Sequence, residues 1–595
     1  MFNLFNINNE SDEYSESGEE SNKINEINDY FKLPIYYNNQ KVSINKNIVV
    51  DLELEKTIDE SGNSIYSYYF NTNNALSNKI INQSCEYYTT DTLFLKDSQE
   101  LLKKYKKTPD KYIKPNYETI IDIWNEIKND TGFKEKYYYI DWTMWEFLNK
   151  SEHFLQFMSI YNMASPIISL FIPIIIFIIP FFVLKLKGLP VTMDEYINIL
   201  KIVISNHAIG KIFTQFNDVS FNEKIYLLFS AGFYLFSIYQ NVLVCVRFHN
   251  NMIKIHKYLK EIEIYLDSTI QSMKNYLNYS SSLVSQEIFN NTLNDKMNIL
   301  KEIKEKIENI SEYKLTNLKK PFEIGKILKY FYEIYDNKIY NEVFMYSFGF
   351  NGYIDCIEGL VENIEERKVN FSKFTNKIKK NVFKNNYYAC LKDHNPIKNT
   401  VKLKNNMIVT GPNASGKTTI LKSTLINIIL TQQFGCGFYD SANLCPYKYI
   451  HCYLNIPDTS GRDSLFQAEA RRCKEILDIV DSNKKNTHFC VFDELYSGTN
   501  PDEAIISATA FMEYLIKNKN VSCMLTTHFV DVCKKLDQNV NIENFHMKTI
   551  KKNYKIIYSY TLEKGISNVK GGINILSDMN YPDEIIRNTI IYQTN

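Results

Sequence analysis

Hydrophobic and polar positions are distributed very unevenly along this chain of 595 residues. From Phe154 to Leu184 no side chain is charged. Its inner part, ASPIISLFIPIIIFIIPFFVL (164–184), would span roughly 30 Å as a helix, the thickness of a bilayer's hydrocarbon. Fifteen of these 21 residues are Ile, Leu, Phe or Val. At about −0.3 to −0.6 kcal/mol each, insertion gains roughly 5 to 9 kcal/mol before any proline cost. Pro173 and Pro180 lie seven apart on one helical face, and Lys185 and Lys187 end the run. A second charge-free stretch, IYLLFSAGFYLFSIYQNVLVCV (225–246), ends at Arg247 and contains Gln240 and Asn241. The pattern predicts a transmembrane helical hairpin within 151–250; the alternative is a pair of core helices in a soluble domain. Two spans would leave both flanking regions in one compartment. Lys201, Lys211 and Lys224, with the two stop lysines, face four acids in the intervening loop, so charge leaves the orientation open.

Elsewhere the periodicities are those of ordinary soluble elements. Residues 1–30 are acidic and Ser/Asn/Glu-rich, which predicts a disordered tail, and no secretory signal peptide is expected there. Residues 31–150 read as a small α+β module. VVDLELEKT and SIYSYYFNT are β-prone, while LLKKYKK and YETIIDIWNEI have helical spacing. From 251 to 385 long helices with both charge signs are expected, and from 386 to 595 strands alternate with helices.

Composition narrows the function classes. Lys+Arg and Asp+Glu are both 68, so the formal net charge is zero and a uniformly basic nucleic-acid coat is excluded. That balance conceals a local excess. Residues 361–404 hold 11 basic side chains against four acids, either a solvated helix face or a phosphate-contacting surface for nucleic acid or anionic lipid. Eleven cysteines without a CxxC pair suggest reduced, buried thiols rather than a disulfide framework or zinc ribbon.

The chemistry sits near the C-terminus. MIVTGPNASGKTTILKSTLINIIL (407–430) runs from a β-type stretch through Gly411, Pro412, Asn413, Ala414, Ser415, Gly416, Lys417 and Thr418 into a helix. That is G-x-x-x-x-G-K-[ST] in its strand–loop–helix setting. Backbone N–H groups there face phosphate oxygens, Lys417 serves the β/γ-phosphates, and the Thr418 hydroxyl is a Mg²⁺ ligand. HFCVFDELYSGTNPDEA (488–504) reads as a buried strand ending in Asp493, for the metal shell, and Glu494, to orient or deprotonate water. VSCMLTTHFVDV (521–532) ends in Thr526, Thr527 and His528, the last a candidate γ-phosphate sensor. DTSGRDSLFQAEARRCKEIL (458–477) opens a helix near Ser464, Glu469, Arg471 and Arg472, suited to an anion held by a partner subunit.

Together these elements resemble the ATPase domain of the MutS family of DNA mismatch-repair proteins, within the ABC-type ATPases, over about 385–592. The resemblance rests on TGPNASGKTT (through Thr419), on Ser464, Phe466 and Glu469, on FDE and SGTNPDEA, on TTH, and on the closing GISNVKGGINILSDMNYPDEII. It implies ATP and Mg²⁺ as cofactors, and a homodimer in which Ser464 of one subunit completes the other's site. It also implies catalytic roles for Lys417, Glu494 and His528. DHNPIKNTVKL (393–403) resembles the family's lead-in to the phosphate loop and places Asn399 near the adenine, although Asn395 separates His394 from Pro396. Asp463 likewise separates Gly461-Arg462 from Ser464. The family's mismatch wedge is G-x-F-x-E; Gly132-Phe133-Lys134-Glu135 has the wrong spacing, so mismatch repair itself does not follow from the resemblance.

The fold expected is an α/β P-loop ATPase domain of ABC/MutS type, preceded by a long-helix α domain, the hairpin and the small α+β module. The function expected is a dimeric MutS-like ATPase, membrane-anchored with a cytosolic ATPase domain, with DNA as a candidate partner. The alternatives are a soluble, cytoplasmic or nuclear DNA-repair or recombination factor, and a nucleotide-switched membrane scaffold that does not act on DNA.

Overall fold

The computed structural model describes residues 27–594 apart from 60–61, 73, 108–113, 189–191, 207–210, 212–219, 309, 311–322, 455, 457–463, 553–554, 568, 570–575 and 578. Most of the acidic tail therefore lies outside the described residues, as does the Gly461–Asp463 insertion. So do parts of the loop between the two apolar stretches. Ile27–Tyr30 form a helical turn with Ile27 buried. The chain divides into two compact units: 1–109, 271–297 and 343–595 form one, and 110–270 with 298–342 form the other.

The first unit begins with β1 (Lys41–Ser43) and β2 (Tyr87–Thr89), which pair antiparallel. The runs expected to be strands are not strands: VVDLELEKT begins in helix Lys46–Asp51 and continues as turns, and SIYSYYFNT lies largely in helix Ile65–Phe70. Their N-caps explain the difference: the Asn45 and Ser64 side chains accept from the backbone N–H groups of Asn47 and Ser67. Ile65, Tyr66, Tyr69 and Phe70 are all buried, a helical rather than alternating spacing.

Eleven further strands lie from residue 370 onward among the described residues. The first six are β3 (Asn370–Phe374), β4 (Val382–Asn386), β5 (Asn399–Lys402), β6 (Asn406–Thr410), β7 (Cys436–Gly437) and β8 (Ser441–Leu444). Then come β9 (Tyr449–Tyr453), β10 (His488–Asp493), β11 (Val521–Thr527), β12 (Ile542–Lys552) and β13 (Lys555–Lys564). One sheet has the order β13-β12-β6-β11-β10-β9, parallel from β12 to β9, with β13 antiparallel at one edge. A second sheet has the order β5-β4-β8-β3-β7. Strands β6 and β11 are buried throughout, as strands covered on both faces must be. Helix Lys417–Phe434 is nearly all buried too, because the N-terminal segment closes over its far end. Gln433 donates to the carbonyls of Ser84 (2.6 Å) and Tyr87 (2.7 Å) and accepts from Tyr66 Oη (2.7 Å). Gln99 donates to the Gly435 and Ser372 carbonyls. All eleven cysteines are unpaired, nine of them buried.

The N-terminal segment also lies against helix Lys338–Glu365, where glycine is needed. A Cβ on Gly359 would sit 1.8 Å from the Phe70 carbonyl oxygen.

The second unit is helical. Phe133 is 1% exposed and stacks on Tyr335 with centroids 4.1 Å apart, beside Tyr139 and Phe331. It is a core residue, which removes it as a base-stacking wedge. The apolar stretches form helices Glu152–Leu186 and Phe221–Ser280, both long and apolar enough to cross a membrane by length and composition. They run side by side: Cys245 Sγ contacts the Met163 carbonyl (3.5 Å) and Tyr234 Oη the Ser169 carbonyl (3.2 Å). This antiparallel register brings the middles of the two charge-free stretches level. In the apolar windows within Glu152–Phe171 and Phe221–Ser280 only 28% and 6% is buried, and Phe157, Phe171, Phe229, Phe233 and Leu235 are exposed.

Replacing Gly359 by Ala forces backbone apart and should destabilise the first unit by about 1–3 kcal/mol. A melting temperature unchanged from the parent's would contradict this packing.

Candidate functional site

Strand β6 delivers the chain to the phosphate loop at the carboxyl end of the parallel sheet, where α/β folds place their ligands. Ala414 (φ 64°) and Gly416 (φ 94°) take left-handed conformations that turn the loop into helix Lys417–Phe434. Gly416 has a second constraint, since a Cβ there would meet the Tyr560 ring at 3.2 Å. Lys417 is 5% exposed, and its Nζ donates to the carbonyls of Gly411 (3.0 Å) and Pro412 (3.3 Å) and to Asn413 Oδ1 (3.3 Å). Burial lowers its pKa, opposed by the charges of Glu494 and Asp493.

Strands β10 and β11 supply the acidic side. Asp493 accepts from Thr418 Oγ1 at 2.8 Å through one oxygen and from Thr526 Oγ1 through the other. Its carboxylate is thereby held between the phosphate loop and the neighbouring strand. Glu494 follows in a left-handed conformation (φ 50°), its N–H donating to the Thr526 carbonyl at 2.9 Å. Its Oε1 lies 3.5 Å from His528 Nδ1 and 3.9 Å from Lys417 Nζ. The His528 hydrogen bond, with help from Lys417, keeps the Glu494 carboxyl below its ordinary pKa despite partial burial. A carboxylate so stabilised suits orienting and polarising a water better than strong proton abstraction.

The residues fit ATP and Mg²⁺. A hydroxyl and a carboxylate are the hard oxygen donors Mg²⁺ takes. The buried Ser415 Oγ has no partner among the described residues, a polar atom the loop itself does not use. Beside the loop lies a cavity of about 380 Å³ walled by Tyr387, Pro396, Ile397, Thr419, Ile420 and Tyr560, apolar and aromatic enough for a nucleobase. Asn399 also borders it, but its Nδ2 donates to the Tyr560 carbonyl (2.9 Å) and its Oδ1 accepts from Leu562 N–H (2.7 Å). Its amide therefore positions β13 and the Tyr560 wall.

Ser464 caps helix Leu465–Ser482 in a capping box with Gln467. Glu469, expected beside an anion, is 2% exposed and accepts from Ser497 Oγ (3.1 Å) and Gly498 N–H (3.2 Å). It anchors the loop after Asp493. Arg472 donates to the Cys452 carbonyl. Sequence reasoning gave no role to Thr526, whose only signal is its place as first threonine of TTH.

This arrangement agrees with what the chain is similar to. The family model for MutS domain V matches residues 407–593. The C-terminal region is a MutS domain V. The chain is 27% identical to the DNA mismatch repair protein Msh3 of Dictyostelium discoideum, over 33% of its own length and 15% of that protein. It is 28% identical to the DNA mismatch repair protein MutS of Acholeplasma laidlawii, over 32% of this chain and 23% of the relative. MutS protein homolog 4 of Mus musculus is 28% identical over 31% of this chain and 19% of its own length. The chain thus covers less than a quarter of each of these relatives. Domain V is a P-loop ATPase-type domain, and the mixed sheet seen here carries its loop and acidic strand end.

Removing the Thr526 hydroxyl with Thr526→Val should leave Asp493 held from one side only. The Mg²⁺ concentration for half-maximal nucleotide turnover should rise several-fold, with metal-free nucleotide binding unchanged. Parental Mg²⁺ dependence would show that Thr526 does not position Asp493.

Proposed function

We propose that this protein is a MutS-like ATPase that dimerises through domain V and is anchored in a membrane by the hairpin of helices Glu152–Leu186 and Phe221–Ser280. The observation that carries the ATPase reading is the Asp493 carboxylate held by Thr418 and Thr526, with Glu494 next to it between Lys417 and His528. The loop's N–H groups and Lys417 bind the phosphates, and Thr418 and Asp493 hold Mg²⁺, which supplies charge neutralisation at the β/γ-phosphates. Glu494 orients the attacking water, and His528 holds Glu494 ionised and senses the γ-phosphate. Ser464 of a second copy completes the site, so nucleotide binding closes the dimer and hydrolysis releases it.

Exposed aromatic and aliphatic side chains along two matched helices support the membrane reading. Phe157, Phe171, Phe229, Phe233 and Leu235 are among these exposed side chains, the kind that a membrane or a protein partner covers. The relatives named as mismatch repair proteins make DNA the candidate partner, without a mismatch wedge at Phe133.

Purified full-length protein should hydrolyse ATP, and Glu494→Gln should lower turnover by about 100-fold or more while retaining nucleotide binding. Lys417→Ala should weaken binding itself. Undiminished hydrolysis in both variants would overturn the assignment. Carbonate washing should leave the protein in the membrane pellet; release into the supernatant would show the hairpin to be covered by protein instead.

A further inference from the structure

The lysine-rich stretch before the phosphate loop does not form a solvated helix face. It builds β3, β4 and β5 of the second sheet, and the strand register gathers its charge. Lys373 is opposite Asn443, Asn443 opposite Val382, and Val382 opposite Lys402, so these four lie in one row across the sheet. Ser372, Ala442, Phe383 and Val401 form the matching buried row beneath. Lys384 is two residues from Val382 and shares its face, opposite Ser441. The Ile378–Lys380 turn is tied to the row by Asn443 Nδ2 donating to the Lys380 carbonyl at 3.1 Å, which brings Lys377, Lys379 and Lys380 to its rim. Lys404 follows β5.

All seven lysines are exposed. None of their ammonium groups has an ion-pair partner among the described residues. The neighbouring acids are engaged elsewhere: Asp440 with Lys398, and Asp393 and Glu366 with Lys368. Between the lysines stand Thr400, Ser441 and Asn443, further donors for phosphate oxygens, and no large exposed apolar side chain.

We propose that this outer face of the β3-β8-β4-β5 sheet is a docking surface for the phosphate backbone of duplex nucleic acid, bound without base reading. Lys373 and Lys402 are three strand spacings apart, about 14 Å. That length of duplex carries about eight phosphate charges on its two strands, about half of them on the side turned toward the sheet and its lysine rim. A bilayer surface is the poorer match, because the face offers no apolar side chain to insert and would rely on charge alone. The inference does not depend on nucleotide hydrolysis, so a failed ATPase assignment would leave it standing.

The test is binding of a fluorescent 30-base-pair duplex of arbitrary sequence to the full chain in detergent, measured between 50 and 200 mM salt. The parent should bind with a log–log salt slope of about −4 to −6. The variant carrying Lys373→Gln, Lys384→Gln and Lys402→Gln should bind at least about tenfold more weakly at 100 mM salt, with a slope shallower by about 2.7. Its melting temperature should match the parent's. Lys474→Gln with Lys534→Gln, at exposed lysines away from this sheet, should leave binding unchanged. Parental affinity and slope in the triple variant would overturn the proposal. So would unchanged duplex binding alongside lost binding to phosphatidylserine vesicles, which would assign the face to lipid headgroups.

Discussion

The Asp493 carboxylate is the point on which the nucleotide site depends. One oxygen accepts from Thr418, at the start of the helix that follows β6, and the other from Thr526, at the end of β11. Three adjacent parallel strands are thus joined at their carboxyl ends through a single side chain. The groups it joins are far apart in sequence and brought together by the β6-β11-β10 order. Both oxygens of the carboxylate are thereby hydrogen-bonded, which fixes its orientation. Glu494 then inherits its position from the strand end, and the left-handed turn there directs it toward Lys417 and His528.

The other end of the P-loop helix is secured by different means. Gln432, Gln433 and Gln99 bond to backbone carbonyls of β2, the helix C-terminus and β3, and Tyr66 reaches Gln433. Buried amides of this kind are costly unless every hydrogen bond is made, so they specify one seating of the N-terminal segment on the helix. The far end of the P-loop helix is therefore packed against residues 27–107, a segment that lies outside the matched domain V.

The apolar hairpin follows another constraint. Its helices satisfy their own backbone groups, and among the described residues many of its large apolar side chains are exposed. Lys185 and Lys187 at one end and Arg247 at the other delimit a band in both helices, and the Cys245–Met163 and Tyr234–Ser169 contacts align the two bands.

Much of the candidate site was legible from residue order. The phosphate loop, the Asp493-Glu494 pair and the TTH terminus are local patterns whose backbone setting is dictated by a few neighbouring residues. The two charge-free stretches were equally plain. Long-range packing decided the rest. The start of VVDLELEKT and most of SIYSYYFNT became helix because caps and burial outweighed weak β propensity. Asn399 was drawn to the backbone of β13, Glu469 to the loop after Asp493, and Phe133 into an aromatic core. The basic excess at 361–404 was visible as a sum, but only strand pairing placed seven of its lysines together. Local sequence specifies which groups are present and the turns that hold them. The partners of those groups are chosen by sheet order and register, which depend on contacts between residues distant along the chain.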